Sequence, residues 1–275
     1  MKLEEFNYDL PKELIAQEPA EPRDSCRLMM VDKKTGEWEH HHFRDILDEI
    51  REGDVFVFNN TKVIPARLYG KKKDTGGKVE MLLLTPKGND TWEVLVNPGR
   101  KALPGVEIEF AENCYCKVLD KTEFGGRLVE FHYDGNFDSL LDQIGEMPTP
   151  PYIHKKLGNN DEYQTVYAKY KGSAAAPTAG LHFTPELMEE MKKKGAKLLF
   201  VTLHVGIGTF RPVSEENIED HEMHKEWYTV SEETAKEVNA ARAEGRRVIA
   251  VGTTSVRTLE SAGQSGILES GSGWT

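Results

Sequence analysis

The sequence "RRVIAVGTTSVRTLESA" (246–262) decides the fold class, because a single glycine separates a strand pattern from a helix pattern. The apolar residues before Gly252 predict a short buried strand, and Gly-Thr-Thr-Ser predicts a turn. The residues that follow predict a helix. A strand that passes through a tight turn into a helix is the building unit of α/β folds.

The preceding sequence continues this alternation of helices and strands. "TPELMEEMKKKGA" (184–196) predicts a helix with Pro185 at its first position. "KLLFVTLHV" (197–205) predicts a strand, and "SEETAKEVNAARAEG" (231–245) predicts a helix capped by Ser231. This order implies βαβ crossovers and a largely parallel sheet.

Two segments near the N-terminus extend the same pattern. "FRDILDEIRE" (43–52) places apolar residues at helical spacing, and "DVFVFNN" (54–60) predicts a strand. We therefore assign both ends of the chain to one main domain.

Residues 67–133 differ, because short strands alternate there with glycine-rich turns. Strands at this spacing predict a small antiparallel β-barrel, and the α/β pattern on either side indicates that the barrel is inserted. The predicted fold is an α/β (multi-domain α+β) main domain with an inserted small antiparallel β-barrel. The predicted parts are 1–66 and 151–275 for the main domain and 67–150 for the barrel. The strand sequences are "ARLYG", "KVEMLLLT", "TWEVLVN", "VEIEF", "CYCKVLD" and "RLVEFHY".

The composition indicates a cytoplasmic protein with reduced cysteines. The 275 residues include three cysteines, no apolar run of membrane-spanning length and no apolar signal core at the N-terminus. The formal net charge is −11, which argues against broad binding of nucleic acid but leaves room for a local basic patch.

Three loops carry polar residues next to glycine or other small residues. They are "HVGIGTFRP" (204–212), "VGTTSVRTLESA" (251–262) and "AAAPTAGLHFTPE" (174–186). Ligands of open α/β sheets bind beyond the carboxyl ends of the strands, so we expect these loops to converge on one site. The helix that follows Gly252 would offer free N–H groups to an anion or a carboxylate.

Familiar nucleotide and metal motifs do not explain these loops. "GIGTFR" lacks the third glycine of the dinucleotide fingerprint, and there is no P-loop. His221 and His224 are three residues apart, one short of the zincin spacing, so we predict no metal site. Asn59, at the end of a predicted strand, fits a structural turn and a ligand-binding loop equally well.

Longer motifs resemble one family over nearly the whole chain, from Phe6 to Trp274. They are similar to those of the S-adenosylmethionine:tRNA ribosyltransferase-isomerases of queuosine biosynthesis, whose fold is also an α/β domain with an inserted β-barrel. The motifs are "FNYDLPKELIAQEPAEPRDSCRLM", "VFVFNNTKVIPARLYG", "WEVLVNPGRK", "IGEMPTPPYI", "DEYQTVYAK", "AAAPTAGLHFTPEL", "VTLHVGIGTFRPV", "EDHEMHKEWY" and "VIAVGTTSVRTLESA".

The resemblance implies a reaction and its partners. The ribosyl part of S-adenosylmethionine would move onto 7-aminomethyl-7-deazaguanine at the wobble position of a tRNA with a GUN anticodon. Rearrangement would give epoxyqueuosine tRNA, with adenine and methionine as the other products. S-adenosylmethionine would be a co-substrate, no further cofactor is expected, and the resemblance suggests a monomer without contact to membranes.

The resemblance also suggests roles for residues of the three loops. The reaction needs a base near the ribose C5′, and a neutral histidine suits that role near pH 7. The candidate catalytic residues are His182, His204 and His221. Glycines would let the backbone approach the ligand, threonines would hold ribose hydroxyls, and an arginine would pair with the methionine carboxylate. The candidate substrate-binding residues are Thr178, Gly206, Gly208, Thr209, Arg211, Thr253, Thr254, Arg257, Asn59 and Arg67.

Two further expectations concern the tRNA and the C-terminus. We expect a positive surface beside the site, with the barrel gripping the anticodon arm; its residues would be Arg23, Arg67, Arg100, Lys101 and Arg257. Chains of the family continue for several tens of residues past "GWT", so we expect this form to lack a C-terminal segment.

Three other functions remain open at this point. A non-catalytic RNA-binding protein would use the barrel and would not need polar glycine turns in the α/β part. A metal-dependent hydrolase would be built on His221 and His224. A conventional methyltransferase would carry a glycine-rich nucleotide loop after an early strand, which this sequence lacks.

Overall fold

The computed structural model describes residues 1–122, 125–210 and 213–275, and a five-stranded sheet dominates the main domain. A closed barrel, a two-stranded hairpin and a short two-stranded parallel sheet complete the strands. The strands are β1 Arg27–Val31, β2 Trp38–His42, β3 Val55–Asn59, β4 Thr61–Val63, β5 Arg67–Lys72, β6 Lys78–Gly88, β7 Thr91–Asn97, β8 Glu107–Ala111, β9 Cys114–Lys121, β10 Arg127–His132, β11 Tyr170–Ser173, β12 Lys197–Leu203, β13 Trp227–Val230, β14 Val248–Ala250 and β15 Gly271–Trp274.

The α-helices are short and begin at good capping residues or at glycine. They are α1 Phe137–Ile144, α2 Pro185–Lys193, α3 Glu232–Ala243 and α4 Thr253–Ala262. Thr184 and Ser231 accept hydrogen bonds from the first turns of α2 and α3, which confirms both predicted starts. None of the described helices has the length and apolar character that crossing a membrane requires. The 3-10 helices are Leu3–Phe6, Lys12–Leu14, Arg23–Ser25, Phe43–Glu49, Gly99–Lys101, Asn160–Tyr163, Thr178–His182, Ile207–Phe210 and Ile218–Asp220.

The main sheet has apolar layers on both faces. Alternation along β3 sends Val55 and Val57 to one face, where they pack with residues of α3 and α4. Phe56 and Phe58 point to the other face and pack against α2. The sheet order is β14-β3-β12-β13-β15, and two of its strands, β12 and β14, directly precede polar turns.

The sheet is mixed, which corrects the prediction of a largely parallel sheet. β14, β3 and β12 are parallel neighbours, but β13 runs antiparallel to β12, and β15 runs antiparallel to β13. The sequence pattern missed β13, and the chain returns through this strand before α3 begins. The prediction holds for these three strands, and β12 and β14 precede two of the polar loops.

The inserted antiparallel barrel is confirmed. β5 to β10 close in the order β10-β7-β6-β5-β8-β9 around apolar side chains such as Leu68, Met81 and Ile108. All barrel strands lie within the predicted insert, and α1 follows them. Arg127 is buried in the barrel and donates to the carbonyls of Ala102, Gly99, Gly125 and Gly126.

The predicted helical segment near the N-terminus is shorter and tighter than expected. It forms a 3-10 helix over Phe43–Glu49, and the backbone N–H of His42 donates to Asp45 at its start. The chain then turns through Gly53, which has a φ of +85°. Asp54, just before β3, pairs with Arg247, whose Nε lies 2.8 Å from the carboxylate.

Asn59 extends the contact between β3 and β12 past the last paired residues. Its side chain is buried, accepts from the N–H of Leu203 at 3.0 Å and donates to the Leu203 carbonyl at 3.0 Å. The same carboxamide oxygen accepts from the N–H of Thr61 at 3.1 Å. The side chain therefore acts as an extra peptide group at the carboxyl end of the sheet.

Replacing Asn59 tests this structural role. We expect Asn59→Ala to lower the free energy of unfolding by about 2–3 kcal/mol, because it leaves buried backbone groups without partners. Asn60→Ala is the control, because the Asn60 side chain accepts a single hydrogen bond in the described chain, from Thr202 Oγ1. We expect it to lower the free energy of unfolding by about 1 kcal/mol. Urea unfolding followed by circular dichroism measures both, and equal losses would contradict the assignment.

Candidate active site

A cavity of about 530 Å³ lies where the three polar loops meet. Residues 175–179 line one side, Val205 and Thr209 another, and residues 252–254 a third. The predicted convergence of the loops is thus present in the structure. Of the predicted substrate-binding residues, Thr178, Thr209, Thr253 and Thr254 line this one cavity.

Hydrogen bonds and close packing connect the three loops to each other. Val205 donates its N–H to Ser173 Oγ at 2.9 Å, and Ala174 donates its N–H to the Val205 carbonyl at 3.0 Å. A Cβ built on Gly252 would lie 3.2 Å from the Cβ of Ala179, so the first turn of α4 packs directly on the third loop. Gly252 also has a φ of +83°, a conformation that favours glycine.

The start of α4 gives the cavity an anion-binding wall. The helix begins at Thr253, and Gly252 provides no side chain to cap the first N–H groups. These groups and the helix dipole favour a negative charge at this end. The Oγ1 atom of Thr254 is buried and has no hydrogen-bond partner among the described residues. Thr254 itself lines the cavity, and rotation of its side chain about χ1 would present this hydroxyl to a ligand.

Another part of the cavity lining is apolar and aromatic. Pro150, Pro151, Tyr152 and Tyr163 line it, and Tyr152 is half exposed. Burial raises the pKa of Tyr163, which keeps its hydroxyl protonated. An anion-binding helix start and an apolar wall in one cavity suit a ligand with a charged end and a flat ring.

The glycine turn that follows β12 is fixed by a buried carboxylate. Glu226 is 6% exposed and accepts from the Gly206 N–H at 2.9 Å and from Arg257 Nη1 at 2.8 Å. Arg257 also donates to the His224 carbonyl. Burial raises the pKa of the Glu226 carboxyl, while the Gly206 N–H and Arg257 oppose that rise. The guanidinium predicted to bind a substrate carboxylate is therefore paired with an internal one.

His204 faces a different cavity, of about 1070 Å³. Its Nδ1 lies 2.7 Å from Thr61 Oγ1, and its ring stacks on Trp227 with centroids 5.4 Å apart. Gly172 has a φ of +147°, and a Cβ there would lie 2.9 Å from the imidazole. Burial lowers the pKa of His204, so the ring is neutral near pH 7.

His182 ends the 3-10 helix that begins at Thr178, but its ring points toward the N-terminal segment. Its Nδ1 lies 3.1 Å from Cys26 Sγ, and its ring packs on Phe43 with centroids 5.1 Å apart. Burial and then Arg23 lower its pKa. No histidine among the described residues lines the cavity at the three loops.

His221 lies apart from the other two candidates. Its Nδ1 is 2.9 Å from Glu215 Oε2, and this hydrogen bond lowers the pKa of Glu215 to about 2. The ring of His224 packs near Gly208, where a Cβ would lie 3.1 Å from it. In the described parts of the chain, no three His, Cys, Asp or Glu side chains cluster as metal ligands.

The remaining candidates lie in other places. The Asn59 side chain is hydrogen-bonded to the backbone of Leu203. Arg67 lies on the barrel, with its Nε 3.3 Å from Glu80 Oε1. Gly206 has open space where a Cβ would stand. Arg211 is outside the described residues. The roles of all these residues stay predictions.

Sequence reasoning missed part of the cavity wall and its support. Pro150, Tyr152 and Tyr163 belong to "PTPPY" and "DEYQTVY", which carry no chemical signature of their own. Glu226 lies in "EDHEMHKEW", where the sequence-based candidates are the two histidines, as metal ligands and, for His221, as a base, and not the carboxylate. A lone acidic residue before a strand gives no signal of burial.

Comparison with known proteins gives consistent relatives. A family model described as "Queuosine biosynthesis protein" matches residues 3–275. Proteins named S-adenosylmethionine:tRNA ribosyltransferase-isomerase, from a Thermoanaerobacter species and from Caldanaerobacter subterraneus subsp. tengcongensis, are each 57% identical over 277 aligned positions. Each alignment covers 100% of this chain and 81% of the relative.

A solved structure is also similar. The crystal structure of S-adenosylmethionine tRNA ribosyltransferase from Thermotoga maritima is 37% identical in sequence and aligns with a TM-score of 0.46. The alignment covers 98% of this chain and 76% of that one.

The Glu226–Arg257 pair generates one prediction. We expect Arg257→Ala to lower the free energy of unfolding by about 3 kcal/mol at neutral pH, because a buried carboxylate loses its cation. The loss should shrink as the pH falls, since a protonated Glu226 needs no cation. Arg242→Ala, at an exposed arginine that donates to the Gly266 carbonyl, is the control. Unchanged thermal stability with a raised KM for S-adenosylmethionine would instead assign Arg257 to the substrate.

The buried histidines generate a second prediction. Because burial lowers the pKa of His182 and His204, the unfolded chain binds more protons below about pH 6.5. Their contribution to stability is present above that pH and is lost as the pH falls toward the folded pKa values. We expect His204→Gln to lose less stability than the wild type between pH 7 and about 5. Parallel melting curves over this range would contradict the assignment.

Proposed function

The chain belongs to the S-adenosylmethionine:tRNA ribosyltransferase-isomerase family of queuosine biosynthesis, and we propose that its reaction takes place in the cavity at the three loops. It is an enzyme that acts on tRNA with S-adenosylmethionine as the ribosyl donor. The observation that carries the location is the uncapped start of α4, with its unpartnered Thr254 hydroxyl, together with an apolar wall.

The chemistry of S-adenosylmethionine matches these two parts of the cavity. The methionine carboxylate suits the free N–H groups at Thr253 and Thr254, where the helix dipole favours negative charge. The adenine ring suits the wall of Pro151 and Tyr152, because flat rings pack well on aromatic and apolar side chains. Thr178 and Thr209 would then donate to the ribose hydroxyls. A cavity of about 530 Å³ is within the usual size of small-molecule sites.

The acceptor and the products that we propose go beyond what membership of the family shows. The acceptor is 7-aminomethyl-7-deazaguanine at the wobble position of a tRNA with a GUN anticodon. A base removes the C5′ proton next to the sulfonium, the aminomethyl nitrogen bonds to ribose C1′, and adenine leaves with a proton. The C1′–O4′ bond then opens to an iminium, the C5′ carbanion bonds to C1′ to close the five-carbon ring, and the freed O4′ displaces methionine from C5′ to form the epoxide.

His182 is the histidine that we propose for proton transfer; its ring does not line the cavity in this structure, so it would have to leave Cys26 Sγ and turn toward the ligand when the substrates bind. It lies on the same short helix as Thr178, which lines the cavity, and burial keeps it neutral near pH 7. His204 would need a ligand in the other cavity, and His221 is engaged with Glu215. We also propose that the enzyme is a cytoplasmic monomer that needs no cofactor beyond its co-substrate.

Adenine release tests the proposal. We expect this chain to form adenine and methionine only with tRNA that carries the aminomethyl base. We expect Thr254→Val to lower kcat/KM for S-adenosylmethionine about tenfold, because a hydrogen bond to a charged ligand group is worth roughly 1.5–3 kcal/mol. His182→Gln should lower kcat more than KM.

The matched control is Thr165→Val, since Thr165 also has a buried hydroxyl without a partner but does not line the cavity. It should retain wild-type kinetics. If Thr254→Val and Thr165→Val behave alike, the location is wrong. If tRNA binds but no adenine forms, a non-catalytic RNA-binding protein becomes the better account.

A further inference from the structure

The hairpin of β1 and β2 exposes one complete face of apolar, aromatic and basic side chains. The strands pair antiparallel, with Met29 opposite His40 and Val31 opposite Trp38. Side chains alternate between the faces of a strand, so these four residues share one face with the Arg27–His42 pair. Met29, Val31 and Trp38 are 56%, 61% and 58% exposed.

The opposite face of the hairpin is more covered. Leu28, Met30 and His41 are partly buried there, and His41 lies 3.1 Å from Glu39. Large apolar residues therefore lie on both faces, whereas an ordinary surface hairpin keeps them on the covered face alone. An exposed face of this kind marks a binding surface.

Residues 27–42 carry three cations, Arg27, Lys33 and Lys34, and three acids, Asp32, Glu37 and Glu39, and the acids accept hydrogen bonds within the hairpin. Arg27, Lys33 and Lys34 form no ion pair with the part of the chain that the structure describes. Asp32 is used within the turn, where it accepts from the N–H groups of Lys34 and Thr35. Glu39 belongs to the opposite face. The hairpin is neutral in sum, and its three cations, unpaired among the described residues, are the groups available to contact phosphates.

The base of the hairpin is anchored next to the candidate active site. Cys26, the residue before β1, lies 3.1 Å from His182, which ends the helix that begins at Thr178. The Phe43 N–H, just after β2, donates to the Cys26 carbonyl. The five residues of β1 span roughly 17 Å from that point. Nucleotides beside a base held in the cavity could therefore reach the exposed face.

We propose that this face is a stacking platform for unpaired nucleotides of the tRNA anticodon loop. Trp38 and His40, whose rings are 5.0 Å apart in an edge-on arrangement, offer aromatic faces to bases. Met29 and Val31 extend the apolar surface, and Arg27 with the two turn lysines contacts phosphates. The proposal rests on the proposed function in that it takes tRNA as the partner.

A binding measurement with point variants tests the platform. The probe is a fluorescein-labelled anticodon stem-loop RNA with a GUN anticodon, followed by anisotropy on the full chain. We expect Trp38→Ala and Met29→Glu each to raise Kd at least about fivefold, the effect of losing one base–aromatic stack or adding a negative charge. Trp38→Phe should stay within about twofold of the wild type, since it keeps a stacking ring.

Trp274→Ala is the matched control, because Trp274 is 56% exposed and lies on a different strand, β15. It should bind like the wild type. A fully paired RNA hairpin with a closed tetraloop should bind weakly and respond little to Trp38→Ala. Melting curves establish that Trp38→Ala is folded, and Met29→Glu supplies a second test if it is not.

The outcomes separate this proposal from the proposed function. If Trp38→Ala and Met29→Glu bind the stem-loop like the wild type, the platform is wrong, whatever the adenine assay gives. If both weaken RNA binding but no variant or wild type releases adenine, the platform stands and the enzymatic proposal falls. If Trp38→Ala changes only the oligomeric state in light scattering, the face joins two copies of this chain and the proposal is overturned.

Discussion

The parallel pairing of β14, β3 and β12 is the constraint on which the candidate site depends. It brings two polar turns to one edge of the sheet, because parallel strands end on the same side. Asn59 extends the β3–β12 contact to Leu203, and Val205 then holds the third loop through Ser173 and Ala174. A cavity lined by a helix start and by an apolar wall is the result.

Charged side chains at the carboxyl edge of the sheet stabilise the backbone of the turn that follows β12. Glu226 pairs with Arg257 and binds the Gly206 N–H, which fixes the glycine turn beside the cavity. The helix start at Gly252 keeps its N–H groups free because a glycine cannot cap them with a side chain. Arg257 is therefore paired with the carboxylate of Glu226, while the first N–H groups of α4 have no side-chain cap.

Local patterns predicted much of this arrangement. The barrel strands, the caps at Thr184 and Ser231, and the meeting of the three loops all follow from patterns within single segments. The mixed sheet did not, because β13 is a four-residue strand without a strong pattern. The orientation of His182 and His204 could not be predicted either, since one ends a short 3-10 helix and the other follows the last residue of β12, and only tertiary packing decides what each ring contacts.

Hydrogen–deuterium exchange with and without S-adenosylmethionine tests the central claim, that the co-substrate binds where the three loops meet. The account predicts slower exchange on binding in residues 174–182, 205–210 and 252–256, because bound ligand closes these backbone groups to solvent. It predicts little change in residues 167–171 and 227–231, which line the cavity around His204. Protection confined to those last segments would place the co-substrate beside His204 and contradict the account.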